Sequence, residues 1–139
     1  VSAGLGYIDA EYDEVDVDTL FSANNDFERV PEWTASASLS KEFILKGGAV
    51  LLPRLDWSYR SETFNDTFNT AIIAQDGYST VNGSIAWLSS NEKLRLTLGV
   101  TNLTDEEYLV TGVAGDAFQS FEGLYARQRE WYATYSYEF

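Results

Sequence analysis

Apolar and polar side chains alternate along most of this chain with a period of two, the spacing that sends successive residues to opposite faces of a β-strand. The pattern is plainest from Trp33 to Phe43. Trp33, Ala35, Ala37, Leu39 and Phe43 fall on one face, Thr34, Ser36, Ser38, Ser40 and Glu42 on the other, with Lys41 the misfit on the apolar side. Lys46-Gly47-Gly48 then makes a tight reversal. The next strand, about 49–60, sets Ala49, Leu51, Pro53, Leu55, Trp57 and Tyr59 against Val50, Leu52, Arg54, Asp56, Ser58 and Arg60. Pro53 removes a ladder donor, which predicts a bulge or an irregular pairing.

Residues 61–76 are polar and irregular. A strand over 77–89 sets Val81, Ile85 and Trp87 against Thr80, Asn82, Ser84 and Ala86, and Ser89-Ser90-Asn91-Glu92 turns the chain. Leu94, Leu96, Leu98 and Val100 then oppose Lys93, Arg95, Thr97 and Thr101 over 93–103, before a second turn at Thr104–Glu107. A less regular strand is expected over about 108–118, and another over about 1–12 whose faces are ambiguous around Tyr7-Ile8. The last segment is the most explicit: Trp131, Ala133, Tyr135, Tyr137 and Phe139 share one parity, Tyr132, Thr134, Ser136 and Glu138 the other.

The expected fold class is therefore all-β: about seven antiparallel up-and-down strands, most of 10 to 14 residues. Soluble strands usually run about 5 to 6 residues, whereas a tilted strand that spans a bilayer needs about 9 to 11. Aromatic side chains girdle the two interfaces of a transmembrane barrel. The competing arrangement is a soluble β-sandwich whose terminal Phe tucks into a core. Against it, the inward set of Thr, Ser, Arg, Asp, Asn and Glu is too polar for a dry core, where each unpaired group costs about 1 to 3 kcal/mol. Those residues suit a wide, wet lumen. Long strands and aromatic ends point to partial transmembrane barrel strands.

Composition narrows the chemistry. The 139 residues carry 22 acidic and 9 basic side chains, a net charge of −13, which argues against nucleic-acid binding through phosphates. Without Cys or His there is no thiolate, no Ser-His or Cys-His pair and no ordinary zinc site. No run approaches the length of a transmembrane helix, and no signal peptide is visible. The missing initiator Met suggests a piece of something longer.

Several residues invite sharper readings. Asp9, Glu11, Asp13, Glu14, Asp16 and Asp18 could gather calcium, but they lack EF-hand spacing and read as a solvated acidic loop. Asp105 and Glu106 could pair as acid and base, yet sit on a turn with no pocket implied. Asn65-Asp66-Thr67, Asn82-Gly83-Ser84 and Asn102-Leu103-Thr104 match the glycosylation sequon. Tyr108, Phe118, Phe121 and Tyr125 could stack on a ligand, but read first as interfacial girdle residues. No catalytic, cofactor or metal residue is assigned.

The run Trp57 to Asn69, then Gly77-Tyr78-Ser79-Thr80-Val81-Asn82, then Leu94 to Tyr108, ending in aromatic-x-Phe, resembles the C-terminal end of a TonB-dependent outer-membrane receptor. Asn102-Leu103-Thr104-Asp105-Glu106-Glu107-Tyr108 followed by a terminal Phe is the most specific part. Val30-Pro31-Glu32-Trp33-Thr34 and Leu5 to Tyr12 are similar to the family's strand starts, so the resemblance covers essentially all of residues 1–139. It implies the C-terminal part of a barrel, with plug, TonB box and earlier strands lying outside this sequence.

The resemblance further implies energised uptake of a scarce nutrient, of ferric siderophore, vitamin B12 or glycan type, in the outer membrane of a Gram-negative bacterium. The protein would be a transporter with no enzymatic step and no cofactor. Its partners would be outer-membrane lipid, a small nutrient ligand, the TonB complex through the missing N-terminal part, and the barrel-assembly machinery. Trp131, Tyr135, Tyr137 and Phe139 would be the lipid-facing, assembly-signalling residues, and Asn102, Leu103, Asp105 and Tyr108 the family turn motif. The alternative is a structural or porin-type outer-membrane barrel without TonB coupling; an outer-membrane hydrolase is disfavoured by the absence of His. If Phe139 ends in the periplasm, as in the family, hairpin parity places the Asn102–Glu107 turn there too. Ser89–Glu92 is then extracellular, and the long linkers 13–32 and 61–76 periplasmic.

Overall fold

The computed structural model describes residues 1–16, 18–115 and 120–139. Its strands are β1 (Ser2–Tyr7), β2 (Trp33–Ser40), β3 (Phe43–Ile44), β4 (Val50–Arg60), β5 (Tyr78–Leu88), β6 (Leu94–Thr101), β7 (Leu109–Gly115), β8 (Ser120–Tyr125) and β9 (Glu130–Tyr137). A single 3-10 turn, Ala71–Ile73, is the one helical element among the described residues. Seven strands form one open antiparallel sheet in the order β1-β2-β4-β5-β6-β9, with β3 beside β4. The all-β, antiparallel, unclosed architecture agrees with the alternation in the sequence.

Register explains how one apolar face arises. Directly opposed residues of an antiparallel pair point the same way. Trp131 opposes Val100, Ala133 opposes Leu98, and Tyr135 opposes Leu96. Leu98 in turn opposes Ile85 and Leu96 opposes Trp87; Trp87 opposes Leu51 and Val81 opposes Trp57; Trp57 opposes Ala37; Ala37 opposes Ala3 and Trp33 opposes Tyr7. The ambiguity of the first strand is thereby settled, with Leu5 and Tyr7 on the apolar side. Along this face the middle is aliphatic and the two ends aromatic. Tyr7, Trp33, Tyr59 and Trp131 mark one end, and Phe43, Trp87, Tyr137 and Phe139 the other. Trp131 and Tyr137 are separated by about 20 Å of extended chain.

Nothing among the described residues covers that face. Trp131 is 73 % exposed, Tyr135 68 % and Leu98 61 %, while the buried hydrophobic residues are only Ile73, Ala86 and Val100. A soluble sandwich would bury this stripe in a core. The opposite face is polar and internally bonded away from an apolar patch of Val50, Leu52, Ala86 and Leu88 near the short turns: Arg54 grips the Asp56 carboxylate with donors at 2.8 Å, Ser38 donates to the same carboxylate, and Ser58 and Thr80 share a hydroxyl bond of 2.8 Å.

Several expectations need correction. The strands are shorter than the 10 to 14 residues expected: only β4 and β5 reach 11, and the others run from 2 to 8. Of the two outcomes expected at Pro53, the irregular pairing forms and the bulge does not: Ser40 pairs with Arg54 and Phe43 with Leu51, so the register is continuous across the proline. Only the ladder lapses there, splitting one long strand into β2 and β3, because Pro53 has no N–H to give. The larger correction concerns 108–118. β7 does not join the sheet; it folds back on β8 as a separate two-stranded hairpin. β9 then pairs directly with β6, Leu94 against Tyr137 and Thr101 against Glu130.

Removing one strand from the count reverses the parity. The turns at 45–49 and 89–93 lie at the same end of the sheet as Tyr137. The connections 8–32, 61–77 and 102–129 all lie at the other. The Asn102–Glu107 turn is thus at the end opposite Phe139, and the long linkers share its side.

Candidate functional site

The long-connection rim is where the chain builds something beyond a wall. Its keystone is Asn102, only 6 % exposed and held at φ 50°, a left-handed conformation that asparagine tolerates better than most residues. Its backbone N–H donates to Asn82 Oδ1 at 2.9 Å. Its Oδ1 accepts from the Glu106 N–H at 2.8 Å. Its Nδ2 donates to the Glu106 carbonyl at 2.8 Å and to the Arg127 carbonyl at 3.3 Å. One amide therefore closes the turn and ties it to the start of β9.

The other motif residues extend the same joint. The Leu103 N–H donates to the Val81 carbonyl at 2.7 Å, prolonging the pairing with β5. Asp105 accepts from the Arg129 N–H at 2.8 Å and lies 3.8 Å from its guanidinium. Tyr108 stacks on Tyr78, ring centroids 4.1 Å apart and planes 14° apart. Tyr78 opposes Arg60 on the polar face, so Tyr108 points to that side and is not a girdle residue of the apolar face. Phe121 and Tyr125 are exposed on β8, and Phe118 lies outside the described residues.

The three connections brace one another. Thr63 and Gln75 form a bridge with two bonds of 2.9 Å. Asn65, buried, donates to the Ile73 carbonyl at 2.7 Å. The Gln75 side chain accepts from the Leu109 N–H, and a Cβ on Gly112 would stand 2.7 Å from Ile73, which seats the β7–β8 hairpin on the 3-10 turn. From the first connection Arg29 reaches Thr111 Oγ1 at 2.8 Å, and Asn25 donates to the Thr67 carbonyl at 2.8 Å. Tyr12 stacks on Phe27 at 4.2 Å. The buried, bonded amides of Asn65 and Asn102 serve the fold, which removes them as glycosylation acceptors.

Sequence reasoning found Asn102, Leu103, Asp105 and Tyr108 as a motif, and the structure joins them in one turn. It read Asn65 only as a glycosylation sequon and assigned no site role to Arg60, Tyr78 or Gln75, whose roles depend on pairings between distant strands and loops. Trp131, Tyr135, Tyr137 and Phe139 are exposed at 73, 68, 46 and 108 %, far from the rim turn except for Trp131 at its end of β9.

A sheet with an uncovered aromatic-banded face, a bonded polar face, short turns at one rim and braced loops at the other is the wall of a transmembrane β-barrel. The family model "TonB dependent receptor-like, beta-barrel" matches residues 1–103, and the chain belongs to that family. Among solved structures, the chain is similar to the ferric yersiniabactin uptake receptor FyuA from Yersinia pestis. The TM-score is 0.72 and the identity 22 %, over 81 % of this chain and 17 % of that one. The likeness is therefore one of fold. No curated protein matches.

Proposed function

We propose that residues 1–139 form the C-terminal wall and part of the loop rim of an outer-membrane receptor that takes up a scarce small nutrient, energised by TonB through a segment outside this sequence. The observation that carries the reading is the register itself, which gathers the aromatic-banded apolar stripe on one face and every long connection at one rim, while Val50, Leu52, Ala86 and Leu88 form a smaller apolar patch on the other face near the short turns. Outer-membrane barrels have short periplasmic turns and long outer loops. The 45–49 and 89–93 turns then face the periplasm, as does Phe139, and the braced connections face outward. Trp131, Tyr135, Tyr137 and Phe139 face lipid, Tyr137 and Phe139 at the periplasmic girdle, and this terminal strand offers itself to the assembly machinery. The family and fold are those of transport receptors, in keeping with a protein that carries its ligand unchanged.

Iron(III) chelates are the first cargo to try, because the fold neighbour is a ferric chelate receptor; vitamin B12 and glycans follow. The test is uptake of radiolabelled chelates by cells expressing the full receptor, with and without TonB. Accumulation that needs both receptor and TonB is expected. Passage that persists without TonB would support the porin-type reading instead.

A further inference from the structure

Two clefts flank the Tyr78–Tyr108 stack on the polar face, and Thr80 and Tyr108 line both. One, of about 330 Å³, is bounded by Thr34, Ser58, Arg60 and Tyr78 as well. The other, of about 430 Å³, runs past Asn82, Thr101 and Asn102 to Arg127 and Glu130. Each is in the size range of small-molecule sites. The register makes the first cleft a consequence of pairing. Arg60 opposes Tyr78, and Ser58 opposes Thr80, while the Asn102 joint delivers Tyr108 from a different connection.

Arg60 stands apart from the other cations of this rim. Arg29 lies 3.7 Å from Glu28, Arg127 lies 3.6 Å from Glu130 and Arg129 lies 3.8 Å from Asp105. No carboxylate among the described residues comes within ion-pair distance of Arg60, although the chain has a net charge of −13. Beside the Tyr78 hydroxyl, and with no carboxylate partner among the described residues, its guanidinium presents the planar fork that fits a carboxylate or a chelating phenolate. The stacked rings beside it offer a flat surface to another ring. A small inorganic anion would not use the stack, and an uncharged sugar would not use the guanidinium.

We propose that Arg60, Tyr78 and Tyr108 form a subsite for an aromatic ring bearing a carboxylate or phenolate, presented by the transported ligand. Arg60 pairs with the acidic group, Tyr108 supports the ring, and the hydroxyls of Thr34, Ser58 and Thr80 border it. This rests on the transport reading above and adds the chemical group recognised.

The experiment uses the full receptor in detergent and two iron(III) complexes as probes, one with 2,3-dihydroxybenzoate and one with acetohydroxamate, which has no ring. Binding is read by quenching of tryptophan fluorescence, and folding by heat-modifiable gel mobility. Saturable binding of the dihydroxybenzoate complex is expected, weakened at least tenfold by Arg60→Gln and by Tyr108→Leu. Tyr108→Trp, which keeps a ring, and Lys93→Gln, at the other end of the sheet, should stay within threefold. Arg60 is exposed, so its replacement leaves packing intact. The proposal is overturned if folded Arg60→Gln binds within threefold of wild type, or if the acetohydroxamate complex binds as well and is weakened equally. TonB-dependent uptake that ignores Arg60→Gln would remove this subsite and leave the transport reading standing. Absence of TonB-dependent uptake of any chelate, B12 or glycan would remove the transport reading itself.

Discussion

At the short-turn end of the sheet, every turn is closed by its own neighbours. Ser89 N–H donates to the Leu94 carbonyl at 2.9 Å, and the Ser89 hydroxyl donates to Asn91 at 2.7 Å. Leu45 and Gly48 close the other turn with bonds of 2.7 and 3.1 Å, helped by Gly47 and Gly48 at φ 92° and 84°. At the long-connection end, the bonds join residues far apart in sequence: 34 positions from Leu109 to Gln75, 42 from Asn25 to Thr67, 82 from Arg29 to Thr111. Charge divides the same way. Every lysine, Lys41, Lys46 and Lys93, belongs to the short-turn end, and the acidic run from Asp9 to Asp16 belongs to the other. One end merely reverses the chain. The other is a cross-linked layer, the kind of rigid support on which a binding surface can be held.

The largest test of this contrast is all-or-none. Single cysteines replacing Asn91 and Val113 in the full receptor should differ completely toward a membrane-impermeant maleimide on intact cells. Val113, 63 % exposed on the hairpin, is expected to label, and Asn91 is expected to stay silent until the outer membrane is opened. The reverse pattern would invert the two rims.

Next in size is the facing of β9. Ala133 lies on the apolar face opposite Leu98, and Thr134 on the polar face opposite Thr97. Arginine at a lipid-facing position near mid-bilayer costs about 2 to 4 kcal/mol, while a lumen position tolerates it. Ala133→Arg should therefore lower the urea midpoint of the folded receptor in lipid far more than Thr134→Arg. Equal loss from both would show that the two faces are not in different media.

Why the faces were legible in the sequence and the rims were not follows from the range of the forces involved. Parity is local: once Trp33 and Ala35 share a side, the pleat decides the rest, and the register carried it across the sheet without a slip. Even Pro53, which signalled a break, did its work locally. The segment 108–118 carried no such decision. Leu109, Thr111 and Val113 alternate with Val110, Gly112 and Ala114 in a pattern that suits either a spanning strand or a hairpin arm. What settles it is the pairing with Ser120–Tyr125 and the fit of Gly112 against Ile73, both non-local. One strand misplaced turns the topology over. The Asn102 motif was visible as a string of residues, but its bonds to Glu106 and Arg127 belong to the folded turn.

A smaller effect should attend Asn102 itself. Asn102→Gly keeps the φ of 50° accessible but strands the Glu106 N–H and two carbonyls, at a cost of about 1 to 3 kcal/mol. Asn102→Ala should cost more, because alanine adds strain in the left-handed region. Both should loosen the outer rim, read as faster protease nicking near Tyr108, and leave cleavage at Asn91 unchanged. An alanine variant no worse than glycine would mean that the backbone angle there matters little.

The smallest expected effect is also the most direct measure of whether the outer layer is cross-braced. Arg29 lies in the first long connection and Thr111 on the hairpin, joined by a bond of 2.8 Å between exposed side chains. A single hydrogen bond is worth about 0.5 to 1.5 kcal/mol net, and side-chain entropy holds an exposed one to the low end of that range. If the connections act as one layer, Arg29→Gln and Thr111→Val should not add. The double variant should be no less stable than the worse single one, with a coupling of about 0.5 kcal/mol. The same cycle at the other rim, Lys46→Gln with Asn91→Ala, should add within error, since no bond joins those two turns. The readout is hydrogen exchange of the backbone amides of residues 29 and 111, because the residue 29 N–H donates to the Phe64 carbonyl at 2.9 Å and loses protection when the first connection loosens. Strict additivity at both rims would reduce the outer layer to independent loops that happen to touch.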